Sequence, residues 1–207
     1  YVVSDTSYEG YTDIPKDVMQ GYTVMVDEAM KQMEELPTHV FLQGGVGGFP
    51  AAVVSFLVES LECPPIFVVV EPTNADCLFQ SAVNGEPTVV HGDLDTIMAG
   101  LACGEVSLLA WPILESYVSH FLSIQDDSIS KTMQLLANRD RSIVAGESAV
   151  AGLAGFLIAC NDDNLKSKLM LNENSRILFF GTEGDTDEKM YGQLVGRSSE
   201  EVMNGYG

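Results

Sequence analysis

The sequence predicts an α/β domain with a mostly parallel sheet flanked by helices. Short, continuous apolar runs such as I66-F-V-V-V-E71 are typical of strands that are covered on both faces, as in a parallel sheet. Longer stretches between these runs place apolar residues at helical spacing. The order strand, loop, helix repeats along the chain, which favours a parallel sheet. We therefore expect residues 1–207 to form a single α/β unit.

The first predicted helix, residues 16–35, has the clearest pattern. It places Tyr22, Met25 and Val26 on one stripe, and Pro15 suits the first turn of a helix. The further predicted helices are 49–61, 74–82, a helix start at 96–102, 111–124, 127–137 and 149–160. The apolar stripes on these helices indicate faces that pack on a core.

Strands are predicted where short apolar runs are bounded by turn residues. Pro64 and Pro65, for example, break the second helix before the apolar run that follows them. The predicted strands are 38–42, 66–71, 88–90, 142–145 and 176–180. Their alternation with the helices places the ends of several strands near one another, where α/β domains bind ligands.

The chain carries thirty acidic and ten basic residues, a formal net charge of −20. A nucleic-acid backbone or an anionic membrane surface would be repelled, so we expect neither as a partner. No apolar stretch approaches the ~20 residues needed to cross a bilayer, and no targeting signal is visible, which predicts a cytoplasmic protein. The four cysteines form no C-x-x-C pair and have no histidine at ligand spacing, so no metal site is expected.

A glycine-rich stretch, Q43-G-G-V-G-G48 (the glycine loop), lies between a predicted strand and a predicted helix. Backbone N–H groups in such a loop bind anions, because glycine lets the backbone close around phosphate oxygens and the helix N-terminus adds a favourable partial charge. The spacing matches neither G-x-G-x-x-G nor G-x-x-x-x-G-K-[ST]. Because no Lys or Arg follows to meet further phosphates, a single phosphate group is the better fit. The alternative is a tight, closely packed strand-to-helix turn.

A second candidate is G181-T-E-G-D-T-D187 (the acidic loop), which follows an apolar strand. The carboxyl ends of parallel strands line the ligand crevice, so this loop and the glycine loop are expected to face one site. Thr182 or Thr186 is then a candidate hydrogen-bond partner for a ligand. The alternative is a solvated acidic turn.

Two shorter segments carry further candidates. In A145-G-E-S148 (the A-G-E-S turn), Ser148 suits a helix N-cap, or Glu147 points into the crevice. Asp5 follows a strand-like start and is either a turn residue or a general base. The residues alone do not decide between these alternatives.

Five segments taken together resemble one enzyme family. In order they are T-H-V-F-L-Q-G-G-V-G-G, V-E-P-T-N-A-D-C, T-I-M-A-G-L-A-C-G-E, A-G-E-S-A-V-A-G-L and T-E-G-D-T-D, preceded by D-T-S-Y-E-G-Y-T-D-I-P. They resemble the C-terminal half of the 2,3-diaminopropionate ammonia-lyases over about residues 2–195. The resemblance implies a homodimeric pyridoxal-phosphate enzyme of the tryptophan-synthase β-like fold (fold type II). Its amino-acid substrate, 2,3-diaminopropionate, would be converted to pyruvate and ammonia.

The resemblance also implies roles for single residues. Asp5 matches an active-site aspartate that helps to handle substrate protons, and Glu147 would approach the cofactor ring from the opposite loop. Cys77 and Cys103 match positions that carry cysteines in relatives, which favours their pairing. The cofactor phosphate would be held by the backbone of Gly45, Val46, Gly47 and Gly48.

The chain departs from the family pattern in two places. The ring-nitrogen partner belongs at Gly181, where related enzymes carry Ser or Thr, so this hydrogen bond is missing or comes from Thr182 or water. The Schiff-base lysine belongs to the family's N-terminal half, and no lysine of this chain has a matching context. Without that amine the cofactor is not tethered. We therefore expect the N-terminal half to be missing and the chain alone to be inactive.

Two other functions stay open. A serine or threonine dehydratase shares the cofactor and the fold but eliminates water. The acidic residues in E-G-Y-T and T-E-G-D-T-D favour the diamino acid, because they suit a substrate with a second ammonium group. The other alternative is a non-catalytic relic or binding module, which Gly181 and the missing lysine both allow.

Overall fold

Four strands form one parallel sheet in the computed structural model, which describes residues 3–205. The strands are β1 (His39–Gln43), β2 (Ile66–Pro72), β3 (His120–Ile124) and β4 (Ile177–Phe179). Their order across the sheet is β3-β2-β1-β4, and all three pairings are parallel. The α/β class with a parallel sheet is thus confirmed. The glycine loop therefore starts from a central strand.

Helices pack on both faces of this sheet. Those in the described residues are α1 (Asp13–Gln32), α2 (Gly48–Ser60), α3 (Cys77–Asn84), α4 (Trp111–Tyr117), α5 (Asp127–Ala137), α6 (Ala151–Cys160), α7 (Asp163–Lys168), α8 (Glu188–Val195) and α9 (Ser199–Asn204). Five of the predicted helices match α1, α2, α3, α5 and α6, with shifts of a few residues at their ends. Within residues 3–205, no helix is both long and apolar enough to cross a membrane.

Each face of the sheet buries its own apolar layer. Val40 and Leu42 belong to the layer that contains residues of α1, α2 and α4. Phe41 points the other way, as the twofold period of a strand requires, and packs with residues of α5, α6 and α8. On that side α6 approaches closely, because a Cβ at Gly152 would lie only 2.8 Å from Phe41 O. All five residues of β1 are buried, which explains the apolar run at the centre of the strand.

The predicted helix 111–124 is wrong in its second half. α4 ends where Val118 adopts an extended conformation and donates its N–H to Leu114 O at 2.9 Å. The chain then forms β3, which pairs with β2 from His120 opposite Val68 to Ile124 opposite Pro72. β3 is half-buried at the sheet edge, and its apolar residues continued the helical spacing of α4 by coincidence.

Three further predicted elements are not formed, because their N–H groups bond to scattered partners. In 88–90, Thr88 N–H donates to Ser81 Oγ at 2.8 Å instead of joining a strand. In 96–102, Asp126 accepts the N–H of Ile97, and only a 3₁₀ turn at Ala99–Leu101 remains. In 142–145, the single backbone bond goes from Ile143 N–H to Leu136 O, so no strand ladder forms.

Candidate functional site

The glycine loop leaves the carboxyl end of β1 and opens α2, as the sequence predicts. Gly44 donates its N–H to Val70 O at 2.8 Å. A Cβ at Gly44 would lie 2.7 Å from Val69 Cγ1 and 2.9 Å from Glu71 Cγ, closer than carbon atoms pack. Gly47 is the N-cap of α2, and its φ of 99° is in the left-handed region that favours glycine. The tight, closely packed turn is therefore real, and anion binding depends on the N–H groups it presents.

A cavity of about 280 Å³ adjoins this loop. Its volume is near the lower end, roughly 300 Å³, of small-molecule sites. Asp5 and Thr182 line it together with Gly45, Val46, Gly47 and Gly48. The structure thus brings six of the seven predicted site residues to one place.

Three N–H groups of the glycine loop are available to an anion. Those of Gly45, Gly47 and Gly48 make no hydrogen bond with any other residue among 3–205. The N–H of Val46 faces the Cys103 thiol and acts to lower its pKa. No Lys, Arg or His among the described residues lines the cavity. An anion here would be held by main-chain dipoles and the N-terminus of α2.

A buried pair of serines holds Asp5 beside the glycine loop. The hydroxyls of Ser7 and Ser107 are 2.7 Å apart, and Ser7 N–H donates to Ser107 Oγ at 3.0 Å. Ser107 in turn donates its N–H to Val46 O at 2.8 Å. A Cβ at Gly48 would lie 3.7 Å from Asp5 O, so the two segments are in contact. Ser107 therefore connects the segment that carries Asp5 to the loop.

Tyr22 of α1 completes this wall of the cavity. Its ring packs edge-on against Phe49, with the ring centroids 5.4 Å apart. Burial and, to a lesser degree, the charge of Asp5 raise the pKa of the Tyr22 phenol. The phenol therefore stays protonated at neutral pH and keeps a hydrogen to donate.

Glu183 fixes the opposite wall by joining the acidic loop to the A-G-E-S turn. Its Oε2 accepts the N–H groups of Ser148 at 2.8 Å and Ala149 at 3.3 Å. Ser148 Oγ accepts the N–H of Gly100 at 2.9 Å. Ser148 is not a helix N-cap, because Val150 holds that position before α6. The acidic loop is therefore more than a solvated turn.

Glu147 is the predicted site residue that the structure leaves outside this cavity. It is 7% exposed and lines an adjoining cavity of about 400 Å³ with Asp126 and Asp187. Burial, followed by the charges of Glu183 and Asp187, raises the pKa of Glu147. Glu183 lines both cavities, so the two cavities share this residue in their walls. A contact between Glu147 and a cofactor ring stays a prediction.

Cys77 and Cys103 both approach Gly45. The Cys77 thiol donates to Gly45 O at 3.5 Å, and a Cβ at Gly45 would lie 3.4 Å from Cys103 Sγ. Burial raises the pKa of both thiols, with Glu71 adding to the rise at Cys77 and Asp5 at Cys103. Both are free thiols in the structure, contrary to the pairing that the resemblance favours.

Gly181 lies at the edge of the site and is exposed. A Cβ placed there would have no atom within 4 Å. Its neighbour Thr182 lines the cavity and accepts a hydrogen bond from Gln43 Nε2 at 2.9 Å. Gln43 and Ser107 are site residues that the sequence did not reveal, because their partners lie 139 and 100 positions away. The one local signal was a polar residue ending the apolar run of β1.

A family model described as "Pyridoxal-phosphate dependent enzyme" matches residues 5–182, most of the chain. The chain belongs to that family. This family match confirms pyridoxal phosphate as the expected cofactor. The residues of the cavity fit this cofactor, because the free N–H groups of Gly45, Gly47 and Gly48, with no cationic side chain of residues 3–205 lining the cavity, suit a single phosphate group. In residues 3–205, no group of three or more His, Cys, Asp or Glu side chains could hold a metal ion.

Relatives of this chain support the resemblance to the diaminopropionate ammonia-lyases. Diaminopropionate ammonia-lyase of Escherichia coli (strain K12) is 44% identical over 205 residues, which cover 94% of this chain and 51% of that protein. A probable D-serine dehydratase of Bacillus cereus is 28% identical over 200 residues, 84% of this chain and 44% of that protein. The crystal structure of selenomethionine-labelled holo diaminopropionate ammonia lyase from Escherichia coli matches with a TM-score of 0.87 and 41% identity, covering 94% of this chain and 51% of that one.

The chain spans about half the length of the curated relatives it matches. The resemblance to diaminopropionate ammonia-lyase, covering about half of that protein, is confirmed by these matches, and so is the fold of type II.

Proposed function

We propose that this chain is the C-terminal part of a lyase that depends on pyridoxal phosphate. The complete enzyme would convert 2,3-diaminopropionate to pyruvate and ammonia. The observation that carries the proposal is the glycine loop, whose free N–H groups share a cavity with Asp5. The identity of 44% to a diaminopropionate ammonia-lyase supports the choice of reaction.

When bound, pyridoxal phosphate supplies an electron sink for negative charge at the substrate α-carbon. Gly45, Gly47 and Gly48 would bind its phosphate through their N–H groups. Asp5, held against Gly48, would accept or return a substrate proton. Thr182 would offer a hydroxyl to the cofactor ring in place of the side chain that Gly181 lacks.

The charge of the cavity favours a substrate with two amino groups. Asp5 and Glu183 both line it, and no cationic side chain of residues 3–205 does. A second ammonium group would therefore meet carboxylates that have no cationic side chain beside them in the cavity, whereas the hydroxyl of serine would gain less from them. A serine or threonine dehydratase remains the rival, supported by the D-serine dehydratase at 28% identity.

A chimera would test this proposal. The half of the Escherichia coli enzyme that this chain does not match would be joined to residues 1–207, and pyruvate release would be measured with lactate dehydrogenase. We expect faster release from 2,3-diaminopropionate than from either enantiomer of serine. Asp5→Asn should lower the rate by about 100-fold, the lower end of a general acid–base contribution. Faster turnover of serine would favour the dehydratase, and a chimera without cofactor absorbance would favour the relic.

The chain alone gives a second test. We expect residues 1–207, mixed with pyridoxal phosphate and 2,3-diaminopropionate, to release no pyruvate, because no lysine of residues 3–205 lines the cavity. Pyruvate above the rate of the cofactor alone would contradict this expectation. A partnering N-terminal half and a homodimer also belong to the proposal and are supported by the resemblance only. A cytoplasmic location belongs to it as well and is supported by the lack of a visible targeting signal in the sequence.

A further inference from the structure

Gln43 ends β1 with its amide turned toward the acidic loop. The side chain is 5% exposed, and its Nε2 lies 2.9 Å from Phe180 O and 2.9 Å from Thr182 Oγ1. A backbone carbonyl oxygen only accepts hydrogen bonds, so the amide atom that faces Phe180 O must be the NH₂ group. Both hydrogens of that group are then in use, and Thr182 Oγ1 is obliged to accept one of them.

This arrangement decides what the Thr182 hydroxyl can do. A hydroxyl has one hydrogen, and that of Thr182 has no acceptor among residues 3–205. Thr182 lines the cavity, so its hydrogen remains available to a ligand there. A hydroxyl that already accepts a hydrogen bond is also a stronger donor, because the two bonds polarise each other.

We propose that Gln43 is a positioning residue that makes the Thr182 hydroxyl a hydrogen-bond donor to the unprotonated ring nitrogen of the cofactor. The inference rests on the proposed function and names how the ring is recognised when residue 181 is glycine. Gln43 itself does not touch the ring in this scheme. Its role is to hold Thr182 Oγ1 in place and, by donating to it, to leave the hydroxyl hydrogen for the ring nitrogen.

The test uses pyridoxamine 5′-phosphate, which has the ring and the phosphate but no aldehyde to react with lysines. Its affinity and that of inorganic phosphate would be measured calorimetrically on residues 1–207 and on Thr182→Val, Gln43→Leu and the double variant. We expect each single variant to bind pyridoxamine 5′-phosphate about three- to tenfold more weakly, the effect of one hydrogen bond, with phosphate unchanged. Thr182→Ser, which keeps the hydroxyl, should bind as the unmodified chain does.

The double variant separates positioning from a general structural effect. In the Thr182→Val background, Gln43→Leu should cause no further loss, because the hydroxyl it orients is gone. The ¹⁵N shift of a ring-labelled probe should also show the bound ring nitrogen staying unprotonated to lower pH in the unmodified chain than in either single variant. Thermal unfolding would establish that all variants are folded.

Three outcomes would overturn the inference. Additive losses in the double variant would make Gln43 a structural residue. If the bound ring nitrogen is protonated at the same pH in all variants, Thr182 does not donate a hydrogen bond to that nitrogen. In both of those cases the proposed function survives, since the probe still binds. If pyridoxamine 5′-phosphate binds no more tightly than inorganic phosphate, the proposed function fails and takes the inference with it.

Discussion

The glycine loop and the acidic loop line the same cavity, yet they are held in place in different ways. The glycine loop starts from a fully buried strand, and side chains of neighbouring elements leave no room for a Cβ at Gly44. The acidic loop is largely exposed and is held by side-chain hydrogen bonds from Glu183 and Gln43. One wall is therefore defined by packing and the other by polar contacts, and the two should fail under different substitutions.

The largest effect is expected from Gly44→Ala. The new methyl group would overlap Val69 and Glu71, and overpacking of a buried site costs about 2–3 kcal/mol of unfolding free energy. The matched control is Gly181→Ala, where no atom lies within 4 Å and a change within about 0.5 kcal/mol is expected. Urea unfolding monitored by circular dichroism measures both. Equal stability of the two variants would contradict a packing role for Gly44.

A smaller loss is expected from Glu183→Leu in the other loop. The N–H groups of Ser148 and Ala149 would lose their acceptor, at a cost of about 1–2 kcal/mol for partly buried hydrogen bonds. Glu183→Gln keeps one acceptor oxygen and should lose less. The same urea measurement applies, and identical losses for the two variants would show that these hydrogen bonds do not hold the loop.

The unfolding free energy of the chain should depend on pH because of a carboxyl group buried in the packed wall. Glu71 is fully buried beneath Gly44 and accepts the N–H groups of Leu78 at 2.9 Å and Phe79 at 2.7 Å. Burial nevertheless raises its pKa well above the ordinary 4.5. The folded chain thus binds this proton more tightly than the unfolded chain, so stability falls as pH rises above about 4.5 toward the folded pKa.

Glu71→Gln removes that titration. The unfolding free energy of this variant, relative to that of the unmodified chain, should therefore increase between about pH 5 and about pH 8. Ser81→Ala, a neutral change at a nearby buried side chain, provides the control and should shift stability by a constant amount. A pH-independent difference for Glu71→Gln would mean that the carboxyl is ionised in the folded chain throughout this range.

The smallest effect on stability is expected from Gly181→Ser. The added side chain enters open space, so unfolding should change by no more than about 0.5 kcal/mol. In the Thr182→Val background, however, the new hydroxyl should restore part of the affinity for pyridoxamine 5′-phosphate. Calorimetry would detect the gain, and its absence would show that a hydroxyl at position 181 does not reach the ring.

Prediction from sequence succeeded where the signal is local. β1, β2, α2 and the glycine loop follow from apolar runs and glycine spacing within a few residues. It failed at β3, whose identity depends on pairing with β2 across 52 positions at His120 and Val68 (120 − 68 = 52). The same limit explains which residues of the site could be predicted from the sequence. The glycines and Asp5, which line one cavity, were predicted from motifs and from the family resemblance, whereas Gln43 and Ser107 matter only through distant partners.

The A-G-E-S turn shows a finer limit. The sequence offered two alternatives for this turn, a helix N-cap at Ser148 or Glu147 in the ligand cavity. The structure places Ser148 there and Glu147 in the adjoining cavity. That choice is made by Glu183, which holds the N–H of Ser148 from another loop, and no spacing rule within the turn encodes it.

The N–H groups of Gly45, Gly47 and Gly48 that would bind an anion belong to the main chain, and this determines which substitutions the site tolerates. Exchanging a side chain can crowd such a cradle, but only proline deletes a donor, because every other residue retains its N–H. The side chain of Val46 does not bind the anion, so Val46 can be replaced by other apolar residues of similar size. A phosphate site of this kind tolerates side-chain substitutions, provided that the backbone keeps its conformation.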